Sequence, residues 1–170
     1  MIKQWLLVPL LLCLISVVAA EEKTASPPLV HVTYRYDDAL WEGRVFPNEA
    51  TNFGIRLTSA NIVFVLIEDK PPPKGTTMYK ALDVAEAEMR SHFALSATTA
   101  LDHLNQPKGW NCRTYDAIST GDQSHYLAME CIRLGHAYAA ALTIIIPFDT
   151  DAGAYEQLNA VIASVKPLDR

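Results

Sequence analysis

The sequence predicts one α+β domain, an antiparallel β-sheet with helices packed on it and a helix at the C-terminal end. Three observations predict it. Apolar and polar residues alternate with a period of two over much of 30–67 and 111–146, the pattern of strands with two distinct faces. Two other stretches, 77–92 and 155–166, repeat their apolar residues at helical spacing. The last three strand-like runs are separated only by tight turns at Gly121-Asp122 and Gly135-His136, which join antiparallel neighbours and leave no room for a crossover.

Composition sets the class. Half of the 170 residues are apolar and 19% are charged, which excludes a disordered or collagen-like chain and suits a single domain. Lys and Arg number 14 against 19 Asp and Glu, a net charge of −5, and no cationic cluster is present. Phosphate binding needs such a cluster, so nucleic acid is excluded as a partner.

Residues 1–20 read as a secretory signal peptide. Met1-Ile2-Lys3-Gln4 is followed by a run, Trp5 to Val18, that is apolar apart from Pro9 and Ser16, and small residues at Val18-Ala19-Ala20 place the cleavage after Ala20. The run holds a proline and is shorter than the roughly 20 apolar residues that span a bilayer. Leu12 before Cys13 argues against lipidation. The expected product is periplasmic or secreted, with no transmembrane anchor. Its loss of Lys3 leaves 13 basic and 19 acidic residues, a net charge of −6, and its loss of Cys13 leaves two cysteines.

The elements follow in order. Residues 21–29 are a flexible polar leader and 30–170 form the domain. Val30, Val32, Tyr34 and Tyr36 mark a half-buried strand, and a second short strand covers 40–46 before Pro47-Asn48-Glu49 breaks it. Phe53, Ile55 and Leu57 alternate in a third. After Ser59-Ala60-Asn61, the run Ile62 to Ile67 is apolar on both faces, as in a central strand covered on two sides. Proline lacks a donor and has a fixed φ, so Lys70-Pro71-Pro72-Pro73-Lys74-Gly75 is a stiff connector and a candidate docking edge. Thr76 or Thr77 caps a helix over 77–92, with Met78, Leu82, Ala85, Met89 and Phe93 on its apolar side. The segment 94–106 is read as strand, although its alanines and leucines also permit helix. Strands at 111–119, 124–134 and 137–146 end at Pro147. Asp149, Thr150 or Asp151 caps the final helix, whose stripe is Tyr155, Leu158, Ile162 and Val165.

A hairpin centred between Gly121 and Asp122 places Cys112 opposite Cys131 and Arg113 opposite Glu130. Two independent pairings choose the same register. A four-residue turn, Thr120 to Gln123, puts the cysteines at the closer, non-hydrogen-bonded kind of pair, which suits a disulfide better than the alternative two-residue turn. In an oxidising compartment the Cys112–Cys131 bridge is expected to form.

Motifs that carry chemistry do not assemble. The five histidines, at 31, 92, 103, 125 and 136, lack metal-ligand spacing; His92 and His103 are the pair with a chance to converge near the end of the first helix, where a solvated histidine is the favoured reading. Asp149-Thr150-Asp151-Ala152-Gly153 shares the start of a calcium loop, but Gly153 and Ala160 occupy ligand positions. No Gly-x-Ser-x-Gly or phosphate-binding glycine loop is present, and Asp122, Ser124 and His125 are too close in sequence to align as a triad. No catalytic residue, metal or cofactor is therefore assigned. Recognition is left. Trp41 with Asp37, Asp38 and Glu42 is a candidate contact for a basic partner, and Trp110 faces Arg133, whose cation can stack on the indole.

Three further features carry a resemblance: Phe46-Pro47 followed by Phe53-Gly54-Ile55-Arg56-Leu57, the helix start Thr76-Thr77-Met78-Tyr79-Lys80-Ala81-Leu82, and the ending Ala163-Ser164-Val165-Lys166. In these the chain resembles the PsbP-like, Mog-like and DcrB-like group of small α/β/α proteins over most of 30–168. The resemblance implies an antiparallel sheet sandwiched by helices and export in many bacterial members. It implies no catalytic set, since the group hosts photosystem subunits, Ran-binding factors and envelope proteins.

The leading expectation is an exported, non-enzymatic module that binds another protein of the cell envelope, as a complex subunit or by neutralising a basic toxin. Two alternatives stand beside it. One is small-ligand binding between sheet and helix, with Trp41, Tyr34 or Tyr126 lining the pocket. The other is a hydrolase with an unrecognised site, for which a histidine within reach of Ser, Asp or Glu in a cleft is the test.

Overall fold

A computed structural model describes residues 22–25, 31–45 and 52–168. The expected signal peptide and the break at Pro47-Asn48-Glu49 lie outside them. Ten strands and two helices follow in order: β1 (Glu22–Ala25), β2 (Val32–Asp37), β3 (Trp41–Val45), β4 (Asn52–Leu57), β5 (Ile62–Asp69), α1 (Met78–Met89), β6 (Phe93–Ala97), β7 (Asn111–Ser119), β8 (His125–Leu134), β9 (Ala139–Pro147), α2 (Ala152–Ser164) and β10 (Lys166–Pro167).

Seven strands form one sheet in the order β3-β4-β5-β9-β8-β7-β6, with every neighbouring pair antiparallel. The two most apolar strands, β5 and β9, lie side by side near its middle, where both faces are shielded. A second, three-stranded sheet has the order β1-β2-β10. Glu22–Ala25, within the segment expected to be a leader, pairs with β2 because that strand has an open edge. Of the segment expected as strand over 94–106, only the part in β6 is strand. The rest turns, with Leu101 and Leu104, one helical step apart, buried in the core.

The alternation expected along the strands sorts the sheet into two faces. Phe64, Leu66, Met129, Leu142 and Ile144 form one continuous core with Leu158, Val161 and Ile162 of α2 and with Val32 and Tyr34 of β2. On the other face Met89 of α1 packs on Tyr115, Ala117 and Ala128. The sheet thus lies between helices, an α/β/α sandwich. Both helices begin with side-chain caps: Thr77 Oγ1 accepts from Lys80 N and Asp151 Oδ1 from Ala154 N at 2.9 Å. Each fully buried aliphatic side chain contributes about 1.5–3 kcal/mol, so the α2 stripe is a principal source of stability.

Buried Glu68 fastens the small sheet to the large one. Its carboxylate on β5 accepts from Val32 N at 2.7 Å and His31 N at 2.9 Å.

The hairpin between β7 and β8 has the expected register, with Cys112 facing Cys131 and Arg113 facing Glu130. The cysteines are bonded, with a Cα separation of 4.0 Å. Ser119 N donates to Ser124 O, leaving the four-residue turn Thr120 to Gln123, in which Gln123 has φ of 62°. The Trp110–Arg133 stack does not form. The guanidinium of Arg133 instead donates to Lys108 O and Tyr138 Oη, each at 3.3 Å, and lies so near Gly109, at φ of 80°, that a side chain there would collide with it.

Candidate functional site: a cavity beside helix α1

Seven strands about 4.8 Å apart span roughly 29 Å, whereas one helix with its side chains is about 10–12 Å across. A single helix therefore covers only part of a sheet face, and the polar contacts of α1 decide which part. Glu86 accepts from Tyr115 Oη and Arg113 Nη1, both at 2.9 Å, and from Arg90 Nη2 at 2.7 Å, while Asp83 also takes Arg113 Nη1 at 2.8 Å. These bonds hold the Glu86 carboxyl below its usual range, with Arg90 the leading cause. Burial, reinforced by the bond to Glu86, pushes the Tyr115 hydroxyl up to about 12. The helix is fastened over β7 and β8, and its far flank overhangs β9 and β5.

Beneath that overhang is a cavity of about 940 Å³. Small side chains keep it open: Ala81 and Ala85 on the helix, Ala139 and Ala141 on β9. Ile132, Ile145, Met89 and Phe93 supply apolar wall, and Pro72 and Pro73 of the connector close one end. Val84, 66% exposed, and Ile67 stand at the mouth with Lys80, Glu88 and His92.

Glu130 lies among the lining residues yet is only 3% exposed. Its Oε2 accepts from Thr143 Oγ1 at 2.7 Å, and among the described residues nothing donates to Oε1. Burial pushes this carboxyl up to about 7, against a smaller opposing effect of the Thr143 bond. The facing ion pair expected with Arg113 is absent. Asp83 and Glu86 of α1 outcompete Glu130 for that guanidinium, which leaves the buried carboxyl without a counter-ion. The sequence signal was a lone acid in the apolar run Ala128-Met129-Glu130-Cys131-Ile132, but it read as half of a cross-strand pair.

The residues expected to contact a partner are gathered at the turn between β2 and β3, but without an exposed aromatic. Trp41 is buried at 2% exposure and belongs to the core. It also lines a smaller cleft of about 260 Å³ with Arg35, Asp37 and Gln157. Asp37 Oδ1 accepts from Ala39 N at 2.9 Å, Glu42 pairs with Arg56 at 2.9 Å, and Asp38 is exposed. The turn reserves part of this acidity for its own structure.

Tyr34 and Tyr126 do not line the large cavity either. Tyr34 is wholly buried on the α2 side, where burial raises its hydroxyl, and Tyr126 packs edge-on against Phe93. Two histidines meet carboxylates: His31 Nδ1 lies 3.2 Å from Glu68 and stacks on Tyr138, and His125 Nε2 lies 2.7 Å from Asp116 and stacks on Phe148. Neither pair lines either cavity. His125 turns toward Asp116 while Asp122 accepts from Ser124 N, so the three triad residue types diverge. His103 packs on Tyr155 rather than joining His92. Among the described residues no group of three or more His, Cys, Asp or Glu is placed to hold a metal, and no helix is long and apolar enough to cross a membrane.

No family model and no curated protein matches the chain. Among solved structures it is similar to cyanobacterial PsbP (CyanoP) from Synechocystis sp. PCC 6803, with a TM-score of 0.56 and 13% identity over 90% of this chain and 96% of that one. A Bacteroides thetaiotaomicron VPI-5482 protein gives a TM-score of 0.49 and 14% identity over 82% of this chain and 46% of that one. The first likeness shows that the chain has a PsbP-like fold, as the sequence resemblance implied.

Proposed function

We propose that this protein is an exported, non-enzymatic binding module whose ligand occupies the cavity between α1 and the sheet. The observation that carries the reading is the cavity itself: a space of about 940 Å³ with mainly apolar walls and, on the buried Glu130, a carboxyl oxygen to which none of the described residues donates. Small-molecule sites have this size and this sparse polarity. The N-terminal sequence supports export, and the Cys112–Cys131 bond is compatible with an oxidising compartment. The cavity lies between sheet and helix, where a small ligand was the alternative expectation, but none of Trp41, Tyr34 and Tyr126 lines it.

The test is a fluorescence titration with the neutral, environment-sensitive dye N-phenyl-1-naphthylamine. The wild-type protein is expected to bind it with enhanced emission, while Ala141→Trp and Ala85→Trp, which fill the cavity from opposite walls, are expected to weaken binding at least about tenfold, or 1.4 kcal/mol. Equal binding by both variants and wild type would remove the cavity from consideration.

A second reading, an envelope protein as partner, is favoured by the exposed Val84 and Ile67 at the mouth and by the acidic balance of the chain. In that case Val84→Glu abolishes salt-sensitive recovery of one stoichiometric protein from the envelope fraction. Recovery unchanged by Val84→Glu counts against it.

A further inference from the structure

We infer that the cavity takes a small apolar amine, whose ammonium group is held by Glu130. The inference rests on the cavity reading above and names the chemical class of its ligand. Glu130 is almost wholly buried, it lines the cavity, and Oε1 has no donor among the described residues. A buried carboxylate that lacks both a counter-ion and a full set of donors is costly, so in the empty site it retains a proton below about pH 7. A ligand that brings a cation and N–H donors to Oε1 removes both deficits at once through a charge-assisted hydrogen bond. Thr143 Oγ1, which already donates to Oε2, keeps lone pairs that can accept from the same ammonium.

Other head groups fit less well. A carboxylate would bring a like charge to Glu130, and Arg113, the cation facing Glu130 across the hairpin, is held by Asp83 and Glu86. A hydroxyl would satisfy Oε1 but supply no charge. The remaining ionisable groups around the cavity are Lys80 and Glu88 of α1, His92 in the turn after it, Asp69 of β5 and Lys74 of the connector, all exposed residues. Solvent screens them, so Glu130 governs selectivity at the floor. The rest of the ligand lies against Ile132, Ile145, Met89 and Phe93, which makes its body apolar.

Below about pH 7 binding exchanges one proton: the ammonium ionises Glu130, and the released proton passes to solvent. Burial holds this carboxyl near 7. Affinity for an amine that stays protonated should therefore fall about tenfold for each pH unit below that value and level off above it.

The experiment displaces N-phenyl-1-naphthylamine from the purified full chain, with its Cys112–Cys131 bond formed, using n-octylamine, 1-octanol and octanoate at pH 6 and pH 8. At pH 8 octylamine is expected to displace the dye at a concentration at least about tenfold lower than octanol, and to lose about tenfold in affinity at pH 6. Glu130→Gln, compared with wild type by the ratio of octylamine to octanol displacement, should lose both the preference and the pH dependence. Thr143→Val, which keeps the carboxyl but removes its donor, should move the pH midpoint upward. The inference is overturned if octanol or octanoate displaces the dye as well as octylamine does, or if Glu130→Gln keeps the amine preference. If Ala141→Trp and Ala85→Trp bind the dye as wild type does, the cavity reading fails with it, whereas dye binding confined to the cavity with no amine advantage overturns the ligand class alone.

Discussion

Glu130→Gln exchanges a buried carboxyl for an amide of nearly the same shape that cannot ionise, and the pH dependence of stability should change with it. The native carboxyl is raised from 4.5 to about 7, chiefly by burial. Between those values the unfolded chain has released its proton and the native chain still holds one, so stability falls as pH rises through this window and is level above it. A shift of about 2.5 units at 1.36 kcal/mol per unit amounts to about 3 kcal/mol. The side chain is almost wholly buried, so screening by solvent takes little from that figure. Glu86 acts in the opposite sense, because its lowered value adds stability above the ordinary carboxylate range, but it does so equally in both proteins. The assay is urea unfolding of wild type and Glu130→Gln at pH 5 and pH 8, followed by tryptophan fluorescence. The variant should gain about 2–3 kcal/mol on wild type between the two pH values. A gain below about 0.5 kcal/mol, or a gain at pH 5 instead, would refute an isolated, buried carboxyl at this position.

Three other changes probe the frame around the cavity. Glu68→Ala leaves Val32 N without its acceptor and frees the small sheet from β5, so a loss of about 2–4 kcal/mol is expected in urea unfolding; a loss under 1 kcal/mol would show that the two sheets hold together without it. Cys112→Ala with Cys131→Ala opens a bridge across 19 residues and should cost about 3 kcal/mol by loop closure. For the wild-type protein exported to an oxidising compartment, mass spectrometry without reductant should find neither thiol alkylated, and two alkylated thiols would contradict the bond. Gln123→Gly relieves a left-handed backbone at φ of 62° and should raise stability by about 1 kcal/mol, seen as a higher urea midpoint with an unchanged slope.

Local features were legible in the sequence because their causes are local. Alternation marked the strands, Thr77 and Asp151 marked the helix starts, and the short loop around Gly121 and Asp122 fixed the pairing of Cys112 with Cys131. A turn of four residues imposes its register on whatever follows it, so this pairing needed no knowledge of the rest of the chain. The burial of Trp41 was not legible, for the complementary reason. Its acidic neighbours are local, but whether the indole faces solvent depends on the distant side chains that form the core around it.

The sequence by itself determined an α+β chain with a disulfide-linked hairpin, an acidic balance and an export-like N-terminus. Long-range packing sets β9 between β5 and β8, takes β2 out of the main sheet and seats α1 to one side. These choices place Ala81 and Ala85 near Ala139 and Ala141, and turn Arg113 toward the helix and away from the residue it faces across the hairpin. A side chain's neighbours in sequence set its conformation, whereas the charge and space around it come from segments remote in sequence. That is why Glu130 read as half of an ion pair and stands in the folded protein as an isolated acid on the floor of a cavity.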